Sequence, residues 1–217
     1  MDFHNVAIER RLPGKAIEGK DKKGWGWEEL DEAQATGRGA SRAERDALRL
    51  MAVLLNNWDN RPDNQRLLCL PEGYPAEPSG HCGKALAYMH DVGGTLGKVQ
   101  GTLKRVRGKG SEERKLDVEA WRQVPVWKDR ATCTVSIKSP RLHGASFGEA
   151  TITEAGRRLL ADRLAQLSPA QMEALFAGAL VSEFDGAKPA STNASRWAAA
   201  LQEKARQVTE GAPCPAQ

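Results

Sequence analysis

No segment of this 217-residue chain is apolar over about eighteen consecutive positions, the length a helix needs to cross a bilayer, so no membrane-spanning helix is expected. A basic segment followed by an apolar one is also missing after Met1. The default location is therefore cytoplasmic, and an extracytoplasmic one requires a longer form with a leader ahead of Met1. Cysteine is sparse, at Cys69, Cys82, Cys133 and Cys214 with no C-x-x-C pair, and His4, His81, His90 and His143 stand singly. A structural zinc site has no ligand set. Neither H-E-x-x-H nor G-x-S-x-G occurs, which removes the common zinc-protease and serine-hydrolase patterns. The run Gly93 to Lys98 approaches a phosphate loop, but its first Gly is one place short and Val99 stands where a Ser or Thr should bind magnesium. Aromatic residues make up 6% of the chain, and none interrupts the basic stretch Lys98, Lys104, Arg105, Arg107, Lys109, Arg114 and Lys115. Broken by Glu112, Glu113 and several glycines, this stretch reads as a solvated loop rather than a nucleic-acid clamp.

What is present suits one water-exposed domain with extensions. Hydrophobic residues form 40% of the chain and charged residues 28%, enough for one sizeable core. The formal charge of +4 permits an acidic or phosphorylated partner without pointing to nucleic acid. The composition shifts divide the chain into an N-terminal arm and connector over 1–40, a main domain over 41–210, and a flexible tail over 211–217.

Local signals give an α+β, mostly helical reading. Ser41 and Glu44 have capping-box spacing ahead of Ala47, Leu48, Met51, Ala52, Leu54 and Leu55, which repeat on a helical face. Leu67 to Leu70 and Ala85 to Met89 read as a strand pair around the Gly- and Pro-rich loop Pro71 to Gly80. Cys133, Val135 and Ile137 alternate like a half-buried strand. Thr151 with Glu154, and Ser168-Pro169 with Gln171, mark the starts of two further helices, and Trp197, Leu201, Lys204 and Val208 mark a last one. Trp25 and Trp27 are too large to leave in water and are expected to pack on the helix of Leu48 and Met51. Cys69 and Cys82 bracket the Pro71 to Gly80 loop. They read as free thiols in a reducing compartment, or as a disulfide if the protein is exported.

The chemistry concentrates in two acidic segments, Asp59-Asn60-Arg61-Pro62-Asp63-Asn64 and His90-Asp91-Val92-Gly93-Gly94. Phosphoryl transfer needs a carboxylate near the attacking hydroxyl, oxygen ligands for a divalent cation, and a positive charge near the phosphates. Asp59 would be the base, Arg61 the phosphate contact, and Asn64 and Asp91 the metal ligands. Pro62 stiffens the first loop, and Gly93 and Gly94 permit a sharp turn beside a polyphosphate. The same residues are also ordinary turn formers.

On these motifs, together with Val6 to Arg11, Gly24 to Leu30, Asp91 to Gly97 and Ile152 to Arg157, the chain resembles the larger, C-terminal lobe of an atypical protein-kinase-like family of bacterial proteins. That family is similar in pattern to phosphatidylinositol-kinase-like and secretory-pathway kinases. The resemblance implies a kinase-like large lobe, ATP with Mg2+ or Mn2+ as cofactor, and a phosphate acceptor of unknown class. It also implies a small lobe that is missing or truncated, because no ATP-anchoring Lys strand or glycine loop precedes Asp59. Asn57 and Trp58 stand where His and Arg are usual, and Val92 where Phe is usual. A pseudokinase-like binding module is the alternative reading.

Overall fold

The computed structural model describes residues 12–17, 24–35, 39–75, 81–90, 95–96, 117–137, 147–179 and 193–216. Within them the architecture is α+β, with two small antiparallel sheets. In chain order the elements are β1 (Lys15–Ala16), α1 (Trp27–Ala35), α2 (Arg42–Leu54), β2 (Gln65–Cys69), β3 (Ala85–Met89), α3 (Val118–Gln123), β4 (Thr134–Ile137), β5 (Gly148–Thr151), α4 (Glu154–Leu164), α5 (Pro169–Gly178) and α6 (Asn193–Thr209). The first sheet has the order β1-β2-β3, with Gln65 opposite Met89 and Cys69 opposite Ala85, and the second pairs β4 with β5.

The helix starts follow local chemistry. Ser41 and Glu44 close a reciprocal capping box on α2, and Ser168 and Gln171 do the same on α5, so orphan backbone donors are satisfied at both ends of each box. At α4 the cap is Thr153 rather than Thr151. The Thr153 hydroxyl accepts from Gly156 N–H, while Thr151 ends β5. Asp46 causes the displacement: its carboxylate accepts the Thr153 N–H at 2.9 Å and hydroxyl at 2.7 Å, fixing Thr153 as the point where strand becomes helix.

The main core lies where α2, α3, α4, α5 and α6 meet the second sheet. Leu50, Leu54, Trp121, Val126, Val135, Ile152, Trp197 and Val208 are all buried there. Trp121 and Trp197 stack at 5.4 Å, with Phe176 at 5.8 Å from Trp197, an area of aromatic surface large enough to dominate the energetics. Helices α2 and α4 approach closely because position 156 is Gly. A Cβ there would lie 2.5 Å from Asp46 Cβ.

Trp25 and Trp27 are buried in a smaller cluster, edge to face at 5.1 Å, with Phe147 5.0 Å from Trp27. Trp27 meets α2 at Arg49, whose guanidinium lies 5.4 Å from the ring, where the apolar spacing points to Leu48 and Met51. With β1 paired to β2, the described part of the first forty residues is packed on the rest.

The cysteines are paired, Cys69 with Cys82 and Cys133 with Cys214, at Cα separations of 5.7 and 5.6 Å. Free thiols are therefore the wrong expectation for this fold. The second bond falls in the segment expected as a tail: Cys214 is buried, and its N–H donates to Glu154 Oε2 at 2.9 Å. The segments Val6 to Arg11 and Lys98 to Lys115 lie outside the described residues, as do Asp91 to Gly94.

Candidate functional site

Helix α2 delivers the first acidic loop. It ends in a Schellman turn: Asn56 takes a positive φ of 51°, Asn56 N–H donates to Val53 O at 2.9 Å, and Asn57 N–H donates to Ala52 O at 2.8 Å. Asn tolerates that left-handed conformation better than other side chains. The chain then reverses and presents Asp59 just beyond the helix end.

Four side chains shape the loop. Asn60 is buried, donates Nδ2 to Asn57 O at 2.6 Å, and accepts the Trp27 indole N–H on Oδ1 at 3.0 Å. Gln65, fully buried at the start of β2, donates to Asn60 O at 2.9 Å. Asn64 donates Nδ2 to Asp59 O at 2.8 Å, closing the loop on itself. A Cβ at Gly24 would fall 1.8 Å from Gln65 O, so glycine is needed where the chain before Trp25 runs against this loop.

The charged groups face one another. Arg61 Nε lies 3.3 Å from Asp59 Oδ1, and Arg61 Nη1 lies 3.9 Å from Asp63 Oδ2. Asp59 is only 23% exposed, Arg61 37% and Asp63 52%, so the pair sits at a mouth open on the Asp63 side. Asp59 Oδ1 and Asn57 Oδ1 accept no hydrogen bond.

The second acidic segment is approached from both sides. His90 N–H donates to Asn64 O at 2.9 Å, Asn57 Nδ2 lies 3.4 Å from Met89 Sδ, and Leu96 N–H donates to Leu55 O at 2.8 Å. Asp91 itself is outside the described residues. Leu96 takes a positive φ of 60°, an unusual conformation for a γ-branched side chain and of the kind that collects at functional segments. Asp59, Arg61 and Asn64 are thus brought together. Among the described residues no group of three His, Cys, Asp or Glu side chains converges as a ready metal site.

Asn60, Gln65 and Trp27 hold the loop through these bonds. Their sequence signal is slight, because Asn and Gln in a polar stretch read as exposed. A separate open cleft of about 2120 Å³ lies between α1, the β1-β2-β3 sheet and β5, lined by Trp25, Trp27, Arg45, Arg49, Leu67 and Ala87 among others. Pro62 alone of the loop borders it, so the cleft and the acidic loop are neighbours rather than one site. No protein-family model, curated protein or solved structure matches this chain.

Proposed function

We propose that this chain is an ATP-dependent phosphotransferase, with the elements from α2 onward forming a kinase-like large lobe. The observation that carries the reading is the His90 to Asn64 hydrogen bond of 2.9 Å. Asp91 follows His90 directly in the sequence, next to the residue bonded to Asn64. The order of the parts agrees: a helix, the acidic loop, a hairpin, then the second acidic residue.

Asp59 would accept the proton of the attacking hydroxyl, Arg61 would turn from Asp59 toward phosphate oxygens, and Asn64 and Asp91 would hold Mg2+ or Mn2+. Their oxygens suit those cations. Asn64 has committed its nitrogen to Asp59 O, which leaves Oδ1 as the acceptor. When bound, the metal nucleotide supplies the phosphoryl group and masks its negative charge. The acceptor belongs to a class that the loop alone does not select, whether protein, lipid or small molecule.

One observation favours the second reading, a pseudokinase-like binding module: Arg61 already lies beside two carboxylates, Asp59 at 3.3 Å and Asp63 at 3.9 Å, which compete with a phosphate for it. Calorimetry with ATP and Mn2+ tests both. Binding that strengthens with Mn2+ and weakens in Asp91→Asn supports the shared site, and loss of γ-phosphate on turnover selects the enzyme. No heat of binding at millimolar ATP and Mn2+ removes the enzyme reading and leaves the pseudokinase-like module, which does not position ATP.

A further inference from the structure

We infer that the Cys69–Cys82 disulfide is a redox-sensitive staple that sets the order of the β2-β3 hairpin, and through it the position of Asn64 and His90. Among the described residues, strand β3 sits at the edge of its sheet and pairs only with β2. The hairpin is closed at one end by a long connection, in which Leu70 N–H bonds Lys84 O at 2.9 Å and Gly83 N–H bonds Gly73 O at 2.8 Å. At the other end the last rung is His90 N–H to Asn64 O. An edge strand across a long connection loses much closure entropy on pairing, and the disulfide removes most of that loss in advance. Cys69 is itself the β2 residue opposite Ala85, so the bond locks the register as well as the closure.

The two disulfides differ in access. Cys133 and Cys214 are both buried, whereas Cys82 is half exposed and borders the cleft beside Lys84 and Ala85. A small dithiol reductant therefore reaches Cys82 first. Its thiolate attacks Cys82 Sγ to give a mixed disulfide, and Cys69 leaves as a thiolate and takes up a proton. The second thiol of the reductant then loses its proton, closes the reductant's own disulfide and releases Cys82 as a thiol. The freed Cys69 has an acceptor in place, since its Sγ lies 3.3 Å from Gly73 O. Reduction thus leaves the Cys69 half accommodated. Pairing of this kind persists under oxidising conditions, and transfer to reducing ones would loosen the hairpin selectively.

Hydrogen exchange on the full chain tests this, with alkylation and peptide mapping to follow each disulfide. Mild dithiol treatment should open Cys69–Cys82 before Cys133–Cys214. Amides of 65–69 and 85–90 should then lose protection on the order of a hundredfold, while those of α2, α4 and α6 keep theirs. The Cys69→Ser, Cys82→Ser double variant should show the same local loss without reductant. Unchanged hairpin protection overturns the inference, as does loss spread equally over α4 and α6, reduction of Cys133–Cys214 first, or four free thiols in protein made under oxidising conditions. The consequence for Asn64 as a metal ligand rests on the phosphotransfer reading. The exchange measurement does not, so a failed staple and a failed enzyme give different results.

Discussion

Trp27 and Asn60 are joined twice: the indole N–H lies 3.0 Å from Asn60 Oδ1 and 3.2 Å from Asn60 O, thirty-three positions along the chain. This contact fastens α1 to the acidic loop, because the same Asn60 side chain also donates to Asn57 O. Asn60→Ala removes two buried hydrogen bonds and strands the Asn57 carbonyl, so a loss of about 2 to 3 kcal/mol is expected in urea unfolding. Trp27→Phe removes only the indole donor and should cost about 1 kcal/mol beyond the change in packing. The two effects should couple in a double-mutant cycle; strict additivity would show that the contact carries no energy.

Lys204 makes stability rise with pH in the alkaline range. Its ammonium is buried in α6 against the Trp121 ring, donates to Val124 O, and has its pKa pushed down by burial to about 8, from an ordinary value of 10.5. Between these two values the unfolded chain binds more protons than the folded one, so unfolding free energy increases as pH climbs through the window. The gain across it is on the order of 3 kcal/mol. Lys204→Met should lose this rise, and a wild-type profile that is flat from pH 8 to 10.5 would contradict the burial argument.

Glu154 gives its own slope in acid. Hydrogen bonds from Arg157, then the Cys214 N–H and Arg158, hold its carboxyl well below the usual range against the opposing effect of desolvation. A depressed carboxyl stabilises the fold fully above its unfolded pKa, and that contribution is lost as pH falls from about 4.5 toward the folded value. Glu154→Gln should flatten the acid limb of the stability curve below about pH 5. It should also loosen the tail, read as faster exchange at Cys214, because the carboxylate that accepts its N–H is gone.

The sequence made legible whatever is local. Ser41 with Glu44 and Ser168 with Gln171 start helices through bonds within three residues, and Ala85 to Met89 reads as a short apolar strand bounded by turn residues. Helix α1 was hidden because Trp27–Ala35 is mostly acidic and polar, and its place depends on Asp31 meeting Arg45 and Arg49 of α2. The Cys133–Cys214 pairing spans 81 residues, and no spacing rule selects it. In the acidic loop, Asp59, Arg61 and Asn64 stood out by residue type. The burial of Asn60 and Gln65 followed only from where Trp27 and β2 lie.

Asn64 joins an observed brace and a proposed ligand role in one amide, and the two give the sharpest test of the site. Its nitrogen braces the loop through Asp59 O at 2.8 Å, while its oxygen is the one proposed for the cation. Asn64→Asp keeps an oxygen and adds charge but cannot brace the carbonyl. Stability should fall by about 1 kcal/mol relative to wild type, yet the improvement of ATP binding by Mn2+ should persist or grow. Asn64→Leu removes brace and ligand together. Its stability loss should be similar, but Mn2+ should no longer improve ATP binding. Denaturant unfolding reads the brace, and titration of Mn2+ at fixed ATP reads the ligand. If the Asp and Leu variants bind the metal nucleotide alike, Asn64 is a loop brace only and the cation must be held elsewhere. If they part as expected, Asp59→Asn becomes the next discriminator, since a base is needed for turnover and not for binding.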